Sequence, residues 1–516
     1  MGEVAVRRLA ERLLSDLKEA RDRLNQDSRN SSRPPSSNSA YGSRQDDATE
    51  GASPSLAVVP VAGSDEGPAS VTAKPPGGSV GPKPETKPET AQPPAPKQKR
   101  KAGHQRGAPG VGRTQKLKFN AMSHHWPASC AICGLDVSME AEGQACGGYD
   151  EIDLLPADLS RPGLSPWVTR HLYYQVVCPC GHHGRYQAPH APVLPNWHGA
   201  GVNDQQMLGP RLAGLVVMLC LRYRLSRVKV RELLWELTGL QLSTGLIDQT
   251  LRQSAGQIAP VEDQLIGAVE HSGLLFVDET PWRERGRLMF LWVFNAVSTI
   301  VYFIGPRSSE IFTNALQGGF AGVLMSDGYA VYRAHLNRIR CQAHLLRKAI
   351  GLSEATCGHT RLVGQQLLDL MAGLIKTVQG AAPDEPTAVL AGKQAPRLAE
   401  LKALCEQHQH SASVKLGELC REFLLDWAAI VRPLLDASLP LTNNAAERQL
   451  RHWVIARRIS FGTRSEQGSR ALALLASVID TCRARKASAW DYLSAAISAG
   501  RQGLTMPQLP AVPAGV

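Results

Sequence analysis

The period of apolar and polar positions changes near residue 271, and most of the expected fold follows from that change. From Leu208 to Ser254 apolar residues recur at the three-and-four spacing of helices. Val230 to Leu237 predicts one helix, Thr238-Gly239-Leu240-Gln241-Leu242 a turn, and Ser243 the cap of a second helix reaching about Ser254. This is a helix-turn-helix pattern, with Gln249, Thr250 and Arg252 available to a DNA groove. Further on the apolar runs are short and continuous. Leu274 to Val277, Leu288 to Val297 and Ile300 to Ile304 predict three strands, Ser308 to Leu316 a helix, and Val323 to Met325 a fourth strand. That order describes a mixed α/β sheet with Asp278 and Asp327 at adjacent strand ends. Residues 350–438 read as a leucine-rich helical insertion, after which Thr442-Asn443-Asn444 caps a helix carrying Glu447 in its first turns.

The amino-terminal part reads differently. Over residues 1–26, Val6, Ala10, Leu13, Leu17, Ala20 and Leu24 line one face of an amphipathic helix, suited to weak self-association or to docking on its own protein. Residues 27–119 form a linker, rich in Ser, Pro, Gly and Glu as far as Ala95, that cannot bury enough apolar surface to offset its ordering entropy. Its basic end, Lys97 to Lys118, places Lys99, Arg100 and Lys101 where loose phosphate contact needs no fixed geometry; a solvated basic linker is the competing reading.

A formal charge of +11 and a pI of about 9.2 bias the chain toward a polyanionic partner. No apolar run is long enough to span a bilayer, and the chain starts as a charged amphipathic helix where a signal peptide would be apolar, so no membrane partner is expected. An intracellular protein is expected, its eleven cysteines being thiols or metal ligands. Within residues 120–195, Cys130 and Cys133 have the spacing that puts two sulfurs on one ion, and Cys178 and Cys180 follow a strand-like run from Leu172 to Val177. Together they predict a structural Zn²⁺ site in a module too small to hold on its own core. Cys146 is a spare ligand, His182 or His183 could replace Cys180, and an ordinary set of cysteines is the rival reading.

Three converging carboxylates, Asp278, Asp327 and Glu447, are what a pair of divalent ions needs to hold a phosphodiester. Taken singly, each acid would pass for a cap or a surface charge. The motifs Asp278-Glu279-Thr280, Ser326-Asp327-Gly328-Tyr329, Cys341-Gln342-Ala343-His344-Leu345-Leu346-Arg347 and Asn443-Asn444-Ala445-Ala446-Glu447-Arg448, continuing through Gly468 and Thr481-Cys482, resemble the transposases of bacterial insertion sequences of family sixty-six, the large TnpC-type protein. Asn30-Ser31-Ser32-Arg33-Pro34-Pro35-Ser36 and the cysteine module extend the resemblance to nearly the whole chain, while Cys178-Pro179-Cys180 and the long linker depart from it. The resemblance implies an RNase-H-like core in two parts, residues 271–349 and 439–500, around the helical insertion. Ahead of it stand the cysteine-rich module and a helical DNA-binding region at 196–270; residues 501–516 form a tail. It further implies an Asp, Asp, Glu triad holding two Mg²⁺ ions, with Mn²⁺ as a substitute, that cleaves transposon ends and transfers strands into target double-stranded DNA. Partners would be a second copy of the chain on paired ends and accessory proteins of the same element. The expected place is the bacterial cytoplasm, on the nucleoid when DNA is bound.

Neighbouring residues carry separate expectations. Glu279 should point away from Asp278 and act structurally. Arg448, Arg451, Arg457 and Arg458 could track DNA phosphates along the Glu447 helix and its continuation, as could Arg464 and Arg470, or Arg451 could pair with Glu447. Cys341 and His344 read as a core thiol and a histidine that orients the active edge or touches the scissile phosphate. Trp282, Trp292 and Trp453 are stacking residues in the abstract, with core packing favoured for Trp292. Two rival functions share these features: an RNase-H-like nuclease or resolvase without strand transfer, and an inactive zinc-containing DNA-binding protein.

Overall fold

The computed structural model describes residues 115, 117–137, 143–157, 160, 162–186, 206–316 and 319–513. The expected amphipathic helix at 1–26, and the basic segment with Lys99, Arg100 and Lys101, lie outside them.

The first sheet contains β1 (Ala121–His125), β2 (Gly143–Leu155), β3 (Ser165–Val177) and β4 (His183–Arg185). β3 is central, parallel to β1 and antiparallel to β2 and β4. Ile152, Leu154 and Val168 bury one end of this sheet against Leu208 and α1 (Pro210–Leu221). Asp153 caps α1 from the sheet, accepting from Leu212 N–H at 2.7 Å.

α2 (Arg227–Thr238) and α3 (Thr244–Gln257) are the two helices of the expected helix-turn-helix. Gly239 ends α2 in the left-handed conformation, φ 71°, and Ser243 Oγ opens α3 by accepting from Leu246 N–H at 3.0 Å. α4 (Val261–Glu270) leads into the second sheet.

The second sheet has the order β7-β6-β5-β8-β9, with β5 (Leu274–Glu284), β6 (Arg287–Asn295), β7 (Ile300–Gly305), β8 (Val323–Ser326) and β9 (Arg338–Arg340). The first three pair antiparallel, whereas β8 and β9 join parallel to β5, after the helix α5 (Ser309–Ala315). This is the mixed α/β sheet read from the sequence, with one correction. Asp278 lies mid-strand, because β6 continues to pair with β5 as far as Glu284 while β8 stops at Ser326. The polar edge forms where β8 ends.

A helical block follows: α6 (Gln342–Ser353), α7 (Gly358–Gln379), α8 (Thr387–His408), α9 (Val414–Leu425) and α10 (Trp427–Leu435). It has its own core, in which Leu345, Leu367, Leu401, Leu416 and Phe423 are fully buried. The chain returns through α11 (Asn444–Ser460), α12 (Glu466–Ala484) and α13 (Ala489–Gln502). α12 covers the outer edge of β7. Thr481 Oγ1 accepts from Ile300 N–H and donates to Ile300 O, both at 3.0 Å, and Ser477 Oγ accepts from Tyr302 N–H at 2.8 Å. Hydroxyls at helical spacing thus satisfy backbone groups that an open sheet edge would leave to water or to another strand.

Candidate active site and metal centre

Phe276 on β5 pairs with Met325 on β8, and Asp278 and Asp327 each follow two residues beyond that pair. Glu447 lies in the first turn of α11. Asn443, fully buried ahead of that helix, joins the pieces: its Nδ2 donates to Val277 O at 2.8 Å and its backbone N–H to Cys341 Sγ at 3.2 Å. Cys341, a buried thiol, occupies the position just ahead of α6. One turn into α6, His344 Nε2 lies 3.7 Å from Glu447 Oε1, and Arg347 donates to the same oxygen at 3.2 Å.

Burial pushes the Asp278 carboxyl well above the usual carboxylate range, and the charges of Asp327, Glu279 and Glu447 push it further. Burial also lowers the pKa of His344, helped by Arg347 and opposed by Asp327 and Glu447. Glu279 accepts from the Tyr332 hydroxyl and pairs with Arg307 at 2.6 Å. Its pKa is raised by burial and by Asp327. Asp327 opens onto a cleft of about 510 Å³ that His344, Arg307, Arg333 and Lys348 also line.

The three acids are less tightly gathered than the cysteines. Among the described residues, the sulfurs of Cys130, Cys133, Cys178 and Cys180 all lie within 4.8 Å of one another. Both pairs sit in tight turns that close on glycines with positive φ, Gly134 at 70° and Gly181 at 85°. The N–H groups of Cys133 and Ile132 pull the Cys130 thiol down to about 6. Four such sulfurs could hold a structural Zn²⁺. His182 Nδ1 stands 3.6 Å from Cys130 Sγ beside the four cysteines, and Cys146 is an exposed residue of β2.

The DNA-contact candidates divide. Gln249 and Arg252 are exposed on α3, Arg252 being 3.4 Å from Asp248. Thr250 is not available to a groove: it is buried and its hydroxyl donates to Leu246 O at 2.8 Å. Arg448, Arg451 and Arg458 are exposed on α11. Arg457 is tied down, donating to Thr280 Oγ1 at 2.7 Å and to Pro281 O. Glu447 is held by Arg347 where the sequence offered Arg451. Arg470 pairs with Glu262. Trp282, Trp292 and Trp453 are all buried, which removes them as stacking platforms. Asn443 and Arg347 were missed as site residues, although both stand inside motifs that singled out their neighbours.

Residues 205–471 match the family described as Transposase IS66 family, and residues 2–47 a family of unknown function (DUF6444). The chain is 23% identical over 389 residues to the uncharacterized protein y4jD of Sinorhizobium fredii (strain NBRC 101917 / NGR234), covering 67% of this chain and 73% of that one. It is 24% identical over 327 residues to y4qI of the same strain, covering 56% of this chain and 58% of the relative. The first family match takes in just over half of the 516 residues and includes Asp278, Asp327 and Glu447, so the chain belongs to the Transposase IS66 family.

Proposed function

We propose that the chain is a DDE transposase that cleaves the ends of its transposon and joins them to target DNA, on an RNase-H-like catalytic core. One observation carries the reading. Burial and the charges of Asp327, Glu279 and Glu447 act together on Asp278, within the segment that matches the transposase family. A buried carboxylate pressed by like charges costs stability unless a cation joins it, which suits a site kept for chemistry.

Asp278, Asp327 and Glu447 would hold two Mg²⁺ ions, or Mn²⁺, which when bound supply Lewis-acid stabilisation of the phosphodiester and a water of lowered pKa. The side chains around them bind and orient. Asn443 fixes the start of α11 against β5, and Arg347 holds the Glu447 carboxylate with His344 beside it. Glu279 stays outside the ligand set, held by Tyr332 and Arg307. In the first step water attacks the phosphorus at the transposon end and the 3′ oxygen leaves with a proton. In the second, that 3′ hydroxyl attacks a target phosphodiester, forming one P–O bond as another breaks. α3, through Gln249 and Arg252, and the basic segment with Lys99, Arg100 and Lys101 would hold the duplex. Paired ends imply a homo-oligomer, and accessory proteins of the same element would join it on the nucleoid.

The test is incubation of the full chain with labelled element ends and a target plasmid in Mg²⁺ and in EDTA, beside Asp278→Asn. Metal-dependent cleavage and joining, absent from the variant, is the expected result. Cleavage without joining would favour a nuclease or resolvase, and DNA binding with neither reaction an inactive DNA-binding protein.

A further inference from the structure

The turn between β5 and β6 and the loop between α11 and α12 are built into each other. Arg285 N–H donates to Thr463 O at 3.0 Å, and Thr463 N–H to Arg283 O at 2.8 Å, so two distant stretches of backbone pair like strands. Beneath them Trp282 Nε1 donates to Thr463 Oγ1 at 3.1 Å, and Thr463 and Ser469 share a hydroxyl bond at 2.6 Å that continues from Ser469 to Glu284. At Gly462, φ 93°, a Cβ would stand 2.0 Å from Arg283 O, so only glycine allows this approach. The backbone is strained to make the fit: Arg285 and Phe461 have φ of 49° and 57°, a region that residues other than glycine avoid.

This rigid tip presents an unusual surface. Phe461 is 77% exposed, and Ile459 and Leu288 are exposed on the same two segments. Arg283, Arg285, Arg287 and Arg464 are exposed on the same two segments. Glu284 turns inward to Ser469, leaving Glu466 as the exposed acid of the loop and the first turn of α12. A cleft of about 390 Å³ runs from Gly462 and Arg464 to Arg227 and Arg252, which both pair with Asp248, so the surface continues into the helix-turn-helix.

We propose that the tip is a second DNA-binding element, in which the arginines hold phosphates and Phe461 wedges against an opened base step of duplex DNA. Apolar side chains that kink DNA are flanked by cations in this way, since unstacking a base step needs the neighbouring phosphates held. Charge decides the occupant, because a second copy of the chain would set the same arginines against themselves. The inference rests on the transposase reading and adds to it residues outside the carboxylate site.

The test uses the full chain and end duplexes carrying 2-aminopurine at successive steps, with anisotropy read across a salt series. Arg287→Ala combined with Arg464→Ala should weaken binding about tenfold and make the salt slope shallower by roughly 2, the value for two lost phosphate contacts. Phe461→Gly relieves the left-handed backbone, so the melting temperature should hold or rise while the 2-aminopurine signal is lost. The proposal fails if both variants bind like the parent with the signal intact while Asp278→Asn still blocks end cleavage; the transposase reading then survives alone. It also fails if Phe461→Gly turns a dimer into a monomer with DNA affinity unchanged. A parent chain that binds no DNA overturns both readings.

Discussion

The side-chain amide of Asn443 donates to the carbonyl of Val277 at 2.8 Å, in a fully buried setting. Val277 immediately precedes Asp278, and Asn443 stands one residue before the helix that carries Glu447. One hydrogen bond therefore sets the spacing of two acids far apart in sequence. Asn443→Ala should cost about 1–3 kcal/mol, the range for leaving a buried polar group without its partner. It should also lower end cleavage more than DNA binding. Urea unfolding and cleavage assays on the same preparation check this; unchanged cleavage in a destabilised variant would leave Asn443 a purely structural residue.

Asp278→Asn should abolish cleavage and yet melt higher than the parent at neutral pH without added metal. The sign follows from the raised pKa. A carboxyl whose folded pKa lies above its unfolded value contributes stability that is fully present below the unfolded pKa and is lost as pH rises through the folded pKa. Asparagine removes that loss, so the stability gap should close as pH falls toward the ordinary carboxylate range. Mg²⁺ should raise the melting temperature of the parent and leave that of the variant unchanged. A variant that melts below the parent at every pH would show that Asp278 is held by favourable contacts.

The sequence made the sheet legible where apolar runs are continuous, at Leu274–Val277 and in β6, β7 and β8. β9 was not legible, because Arg338-Ile339-Arg340 places two charges in three residues. Arg340 is fully buried only because Glu422 comes to it from α9 and Asp426 from the junction between α9 and α10. The candidate acids stand in motifs of their own, whereas the contacts of their supports are not written locally. Arg347 reaches Glu447 across 100 residues, and no local pattern encodes such a contact. Thr250 shows the reverse failure: helical spacing placed it on α3, but its burial comes from packing by other elements.

The cysteine cluster makes a metal-content prediction. The purified chain should hold one Zn²⁺, and Cys133→Ser or Cys178→Ser should lose it, since a structural site needs all four sulfurs. Cys146→Ser should keep it. Elemental analysis gives the stoichiometry, and chelation should expose the strands around the site to amide exchange, because metal affinity here is folding free energy. Retention of zinc by Cys178→Ser would point to His182, 3.6 Å from Cys130 Sγ, as a replacement ligand.

Asp426 holds the helical block to the second sheet through Arg338 and Arg340 of β9. Its side chain is 1% exposed and receives Arg333 at 3.0 Å, Arg338 at 2.6 Å and Arg340. Burial alone would raise its pKa, but the guanidinium groups of Arg338, Arg340 and Arg333 overcome that and hold it below the ordinary carboxylate range. Asp426→Ala leaves the buried Arg340 with Glu422 as its remaining acidic partner, so it should cost about 3–5 kcal/mol. Arg333 and Lys348 line the cleft at Asp327, and Lys348 is itself held by Glu422 at 2.5 Å. Loosening this network should therefore lower cleavage in the molecules that remain folded. Because the folded pKa is depressed, the stabilisation is present above the unfolded pKa and disappears as pH falls through the folded value. Acid unfolding of the parent should accordingly fall away steeply below the usual carboxylate range, and Asp426→Asn should flatten that limb. Equal acid limbs in parent and variant would mean that other carboxylates set the acid stability of the chain.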